Sequence, residues 1–126
     1  MQLSHVTLFV SDIPRSRAFY LGLGFHLIVD AAHYCRFLVG DGTTLSIERR
    51  DSFAAGGAHF GIEFGSAAAL DAEIARLAAL GVPIAEGPVN RPWLWRDARI
   101  TDPDGHDLLY FFAGENKLNP PWRVQR

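Results

Sequence analysis

Two histidines and one glutamate lie in strand-like segments, in a pattern that could bind a metal ion. His5 begins the alternating run HVTLFV, His59 begins the run HFGIEF, and Glu48 ends the run TTLSIE. Imidazole and carboxylate groups on neighbouring strands bind divalent transition metals and leave coordination positions open for substrate. We therefore expect Zn, Ni, Co or Fe on these three residues. The alternative is that each histidine bonds only to its neighbours within a sheet.

Other side chains are candidates for the wall of a ligand cavity. They share inward-facing strand positions or a proline-containing loop: Thr7, Ser46, Trp93, Trp95, Leu109 and Phe111. Exposed tryptophan is costly unless it is covered, so the loop tryptophans either dock on the core or line a ligand site. By alternation Glu63 also faces inward, either as a catalytic base or as a paired carboxylate. His106 follows a turn, and we expect it to be exposed.

These residues must be positioned by two similar halves of the chain, each with the predicted order β-α-β-β-β. The run HFGIEF repeats the apolar spacing of HVTLFV, and each run leads to a capped helix that ends at glycine. We predict a single α+β domain in which a helix covers one face of each sheet. Its parts are module one (1–50), a linker (51–57), module two (58–113) and a C-terminal tail (114–126).

Composition narrows the class of partner. The 126 residues carry a net charge of −2 and are 48% hydrophobic, which argues against nucleic acid or an anionic membrane. No apolar run approaches the roughly 20 residues that a membrane helix needs. The single cysteine, Cys35, suits a reducing cytoplasm, where we expect the protein to reside. A small-molecule substrate or ligand is the expected partner.

Three segments resemble the vicinal oxygen chelate superfamily of glyoxalases, bleomycin-resistance proteins and extradiol dioxygenases: HVTLFVSDIPRSRAFYLGLGF, AHFGIEF, and the DPDG turn before an apolar strand. The resemblance covers most of the chain. It implies two tandem modules whose curved mixed sheets enclose a ligand cavity, and it implies a homodimer. It also implies metal ligands on strands one, four, five and eight, which fall on His5, Glu48, His59 and Leu109. Leucine cannot bind a metal or move a proton, so glyoxalase I activity is disfavoured.

Two functional hypotheses follow from the resemblance. The first is a metal-dependent lyase, isomerase or dioxygenase that acts on a small oxygen-chelating substrate. The second is a metal-free binding protein of the bleomycin-resistance type, which would sequester a planar compound against Trp93, Trp95 and Phe111. The histidines and Glu48 favour the first hypothesis, whereas Leu109 favours the second. The substrate is not revealed by the sequence.

Overall fold

The computed structural model describes residues 1–125, so Arg126, the last residue of the predicted tail, lies outside it. The strands of the first half are β1 (His5–Val10), β2 (His26–Ala31), β3 (Tyr34–Val39) and β4 (Thr43–Arg49). Those of the second half are β5 (His59–Glu63), β6 (Glu86–Asn90), β7 (Arg96–Thr101) and β8 (Asp107–Phe112). The helices are α1 (Ile13–Gly22) and α2 (Ala67–Ala79), and a 3₁₀ helix follows at Gly114–Lys117.

The chain forms two compact units, each built on one four-stranded sheet. The first unit comprises residues 1–57 and 102–106, and the second comprises residues 58–101 and those from 107 onward. The strand orders are β1-β4-β3-β2 and β5-β8-β7-β6. Only the pairs β1–β4 and β5–β8 are parallel within these described sheets. Each sheet thus has the predicted β-α-β-β-β order, and the α+β fold class is confirmed.

The first helix is capped as predicted and covers the first sheet. The Asp12 carboxylate accepts a hydrogen bond from the backbone N–H of Arg15 at 2.9 Å, which satisfies a helix-terminal donor. Pro14 lies in the first turn, where a missing N–H costs nothing. The helix packs on β3 and β4, and its fully buried Tyr20 ring lies 5.8 Å from that of Phe37.

The second helix buries the stripe that its 3.6-residue periodicity predicts. Ser66 caps it by accepting from the N–H of Ala69, and Leu70, Ile74 and Leu77 are buried. We expect from the sequence that this stripe packs on Phe60, Ile62 and Phe64, but the main contacts of α2 are with β6, β7 and β8. The physical reason is that β5, which carries the predicted partners, is an edge strand of its sheet. None of the helices in the described part of the chain is long and apolar enough to span a membrane.

The turn between β7 and β8 is held in the first unit by buried hydrogen bonds. The Asp102 carboxylate accepts from the Tyr20 hydroxyl at 2.7 Å and from the backbone N–H groups of Asp104 and His106 at 2.9 and 2.8 Å. Gly105 has φ of 94°, a conformation that glycine adopts without strain.

The expectation that His106 is exposed is wrong. Its ring nitrogen lies 2.6 Å from the carbonyl oxygen of Phe9, and the ring stacks on Phe53 at 6.0 Å. These partners are distant in sequence, so the turn signal around His106 does not report them.

Truncating the α2 stripe should destabilise the protein. Leu77→Ala removes a fully buried side chain, so we expect the free energy of unfolding to fall by about 2–5 kcal/mol in urea denaturation. Leu80→Ala is the matched control, because Leu80 is 65% exposed. A comparable loss in both variants would contradict the burial of the stripe.

Candidate functional site

A cavity of about 500 Å³ opens on the second sheet. It lies on the face of the sheet that carries Asp107 and Leu109 of β8. Asp107 pairs with His59 on β5, and Leu109 pairs with Arg99 on β7. Residues opposite each other in a sheet share a face. The cavity therefore has a floor of strand residues, and the loop after β6, residues 91–95, supplies a side wall.

The side wall is aromatic. Trp95 stacks on Phe111 with ring centroids 4.5 Å apart and planes 12° from parallel, and Trp93 is 47% exposed. Phe111 does not line the cavity, but it supports the Trp95 ring from the sheet. A side chain at Gly61 would place its Cβ 2.8 Å from the Phe111 ring, so only glycine leaves room for that ring. The wall therefore presents a flat apolar surface in a fixed orientation.

A second wall is charged, and one guanidinium in it is paired with two carboxylates. The Arg91 guanidinium donates to Asp97 at 2.9 Å and also to Glu86, and it lies 5.8 Å from the Trp93 ring centroid. The hydrogen bonds that Arg91 donates to Asp97 and, to a smaller extent, to Glu86 raise its pKa. Arg91 thus links β6, β7 and the tryptophan loop through its contacts with Glu86, Asp97 and Trp93.

At the floor, Arg99 donates to both carboxylate oxygens of Asp107, at 3.3 and 2.7 Å. This bidentate hydrogen bond to Asp107 is the main cause of the raised pKa of Arg99. Leu109 is buried to 7% exposure and forms the apolar part of the floor.

Five charged residues at this site were not among the candidates from sequence: Glu86, Arg91, Asp97, Arg99 and Asp107. Alternation along β8 places Asp107 on the face of Leu109, and this signal was available. The pairing of Arg91 with Glu86 and Asp97 was not, because it depends on the register of β6 against β7.

The remaining candidates of the second unit are placed as follows. Trp93, Trp95, Leu109 and His59 line the cavity, and His59 is exposed there. Glu63, the candidate base, is exposed and paired with the Lys117 ammonium at 3.1 Å. Glu63 does not line the cavity.

In the first unit, His5 is bonded to hydroxyl groups. Its Nδ1 lies 2.5 Å from the Thr44 Oγ1 and its Nε2 lies 3.0 Å from the Thr7 Oγ1. Thr7 and Ser46 are opposite each other on β1 and β4, and neither lines the cavity of the second unit.

Glu48 does not lie beside His5. The parallel register pairs His5 with Thr44 and Phe9 with Glu48, which separates the two candidate ligands by four residues, roughly 13 Å along the strands. Glu48 instead forms an ion pair with Arg50 at 2.5 Å. The expectation that the two share one ion fails on this register.

A family model for the Glyoxalase/Bleomycin resistance protein/Dioxygenase superfamily matches residues 2–110. The chain belongs to this superfamily. A search of curated proteins finds no match to the sequence.

Solved structures show the same fold. A glyoxalase/bleomycin resistance protein/dioxygenase from Nocardioides aligns with a TM-score of 0.81 at 22% identity, covering 99% of this chain and 90% of that one. A lactoylglutathione lyase from Agrobacterium tumefaciens aligns at 0.75 and 20% identity, covering 88% and 92%. A superfamily structure from Alicyclobacillus acidocaldarius aligns at 0.76 and 19% identity, covering 93% and 95%. At these identities the likeness concerns the fold alone.

The metal that this superfamily implies can be tested against the residues present. Leu109 lies opposite Gly61, two residues after His59, and Ser46 lies opposite Thr7, two residues after His5. Ser46 is therefore the counterpart of Leu109, and neither residue is a carboxylate. Among residues 1–125 no group of three or more His, Cys, Asp or Glu side chains could hold a metal ion. The side chains at these positions therefore do not fit the metal ion that the superfamily implies.

Metal addition provides a direct test of this misfit. We expect the same melting temperature in Zn²⁺, Ni²⁺, Co²⁺ and EDTA, because His5 is bonded to threonines and Glu48 to Arg50. Differential scanning fluorimetry measures the shift. A rise with metal that is lost in His5→Ala and in His59→Ala, but kept in the His33→Ala control, would instead establish a metal site.

Proposed function

We propose that this chain is a small-molecule-binding protein of the bleomycin-resistance type, which holds a planar organic compound in the cavity of its second unit. The observation that carries the proposal is the exposed tryptophan wall of that cavity. Trp95 is held flat by its stack on Phe111, and almost half of Trp93 faces solvent. A planar ligand would remove this apolar surface from water, which contributes about 25 cal/mol per Å².

The size of the cavity supports the proposal. Its volume of about 500 Å³ falls within the roughly 300–1,000 Å³ of small-molecule sites. The apolar elements, Leu109 and the two tryptophans, lie beside fixed polar groups that could orient a ligand. This combination of a mainly apolar surface with a few placed polar groups is typical of ligand recognition.

The pairing of the charges favours binding over catalysis. Glu86 and Asp97 are both paired with Arg91, and Asp107 is paired with Arg99. A general base must reach a substrate proton with a tuned pKa, whereas these carboxylates are committed to guanidinium groups. The hypothesis of a metal-dependent lyase, isomerase or dioxygenase has less support, because positions 46 and 109 carry no carboxylate.

Removing the aromatic wall should weaken ligand binding. In a titration of the protein with a panel of neutral and cationic planar aromatic compounds, followed by tryptophan fluorescence quenching, Trp93→Ala should raise Kd about tenfold. Trp122→Ala is the matched control, since Trp122 is 57% exposed and does not line the cavity. Equal losses in the two variants, or saturable binding untouched by Trp93→Ala, would count against the cavity as the site.

We also propose a symmetric homodimer, in accordance with the resemblance. Each sheet has two edge strands, β1 and β2 in the first and β5 and β6 in the second, and such edges are commonly covered by a partner. Light scattering at micromolar concentration should give about twice the chain mass of 13.9 kDa. A mass equal to one chain would refute the dimer.

A further inference from the structure

The first sheet has a polar row that the proposed function does not use. The register places Thr7 on β1, Ser46 on β4 and Arg36 on β3 opposite one another across three adjacent strands. Because paired residues share a face, their side chains lie side by side. The row belongs to the first unit, and none of its three residues lines the cavity described above.

Arg36 lacks a counter-ion, although it is partly buried. Among residues 1–125 every other arginine except Arg123 has a carboxylate partner. Arg123 lies exposed near the chain end, whereas Arg36 lies within β3. Removing a charge from water is costly unless the charge is paired. Arg36 therefore presents a charge that no carboxylate of the described chain pairs, and an anion from outside the chain could pair it.

The hydrogen bonds of Arg36 show which of its donors remain. Its Nε and Nη2 both donate to the Tyr34 hydroxyl, at 3.1 and 2.9 Å. Tyr34 thus occupies the side-on edge of the guanidinium. The end-on edge, formed by Nη1 and the second N–H of Nη2, keeps two parallel donors, the geometry that matches the two oxygens of a carboxylate.

The neighbouring hydroxyls have a fixed direction. The Tyr34 oxygen accepts two N–H bonds, so its own proton points to the Ser46 oxygen, 2.6 Å away. Ser46 accepts that bond and keeps its own proton to donate. The group formed by Arg36, Tyr34 and Ser46 is therefore rich in donors, and an acceptor complements it.

We propose that the Arg36–Tyr34–Ser46 group binds an oxyanion, the carboxylate or phosphoryl group of a small molecule, through the end-on edge of Arg36. The guanidinium supplies charge and two directed bonds, and Tyr34 holds it in place by occupying its other edge. A lysine at this position would supply the positive charge but not the two parallel N–H donors. None of these three residues belongs to the tryptophan wall of the second unit.

A titration at constant ionic strength tests the site. Sodium benzoate and phenyl phosphate are added to ¹⁵N-labelled protein, with neutral benzamide as the control probe, and the arginine Nε–H resonances are recorded. We expect saturable shifts of the Arg36 Nε–H with one or both anions and none with benzamide. The anion with the lower Kd identifies the preferred oxyanion.

Variants then distinguish a specific site from general charge; because the Arg36 variants lack the Nε–H resonance, Kd is measured in every variant from backbone amide shifts. Arg36→Gln should raise Kd at least tenfold and Arg36→Lys at least fivefold, while the exposed Arg123→Gln leaves it unchanged. Trp93→Ala should also leave it unchanged, so the two proposals fail separately. Arg36→Lys keeps the charge, which provides a folded variant if Arg36→Gln does not fold. Shifts that do not saturate, or a Kd equal in wild type and Arg36→Lys, would overturn the proposal.

Discussion

The parallel pairing of the first and last strand of each module is the constraint on which the rest of the structure depends. It brings β1 beside β4 and β5 beside β8, and it fixes which residues share a row. A helix covers one face of each sheet, so the chemistry-bearing side chains are confined to the other face. The register of the strands then determines which side chains lie next to each other in each row across the sheet. In a parallel pair a shift of two residues keeps every side chain on its face but gives it different neighbours.

This constraint explains why two modules of similar fold present different side chains on the corresponding faces of their sheets. The row of His5 and Thr44 corresponds to that of His59 and Asp107, and the row of Thr7 and Ser46 to that of Gly61 and Leu109. In the first module these rows hold hydroxyls and a guanidinium. In the second module Leu109 and the Arg99–Asp107 pair form the floor of a cavity, and the ion pairs of Arg91 form one of its walls. The fold is duplicated, while the chemistry is specific to each copy.

Electrostatic pairing decides what the second module can do. Asp97 is almost fully buried, and its charge is tolerable there because Arg91 neutralises it. The same pairing removes the free carboxylate that acid–base chemistry would need. Aromatic surface is what remains available to a partner: Trp95 is rigid because of Phe111, and the Phe111 ring fits because residue 61 has no side chain. This geometry supports the proposed recognition of a planar ligand by stacking.

The sequence by itself determined the local elements. The caps at Asp12 and Ser66, the buried stripe of α2 and the alternation of the strands were predictable, because each depends on residues within a few positions. The internal repeat and the resemblance then predicted the fold and the faces of the strands. Only the tertiary structure decided which residues of neighbouring strands lie opposite each other. Alternation places Glu48 on the same face as His5, but the register of β1 and β4 pairs Glu48 with Phe9. The tertiary structure also decided the burial of His106 and the pairing of Arg91 with Asp97. The physical reason is that side-chain direction has a period of two residues, which leaves the offset between distant strands to be set by packing of the whole unit.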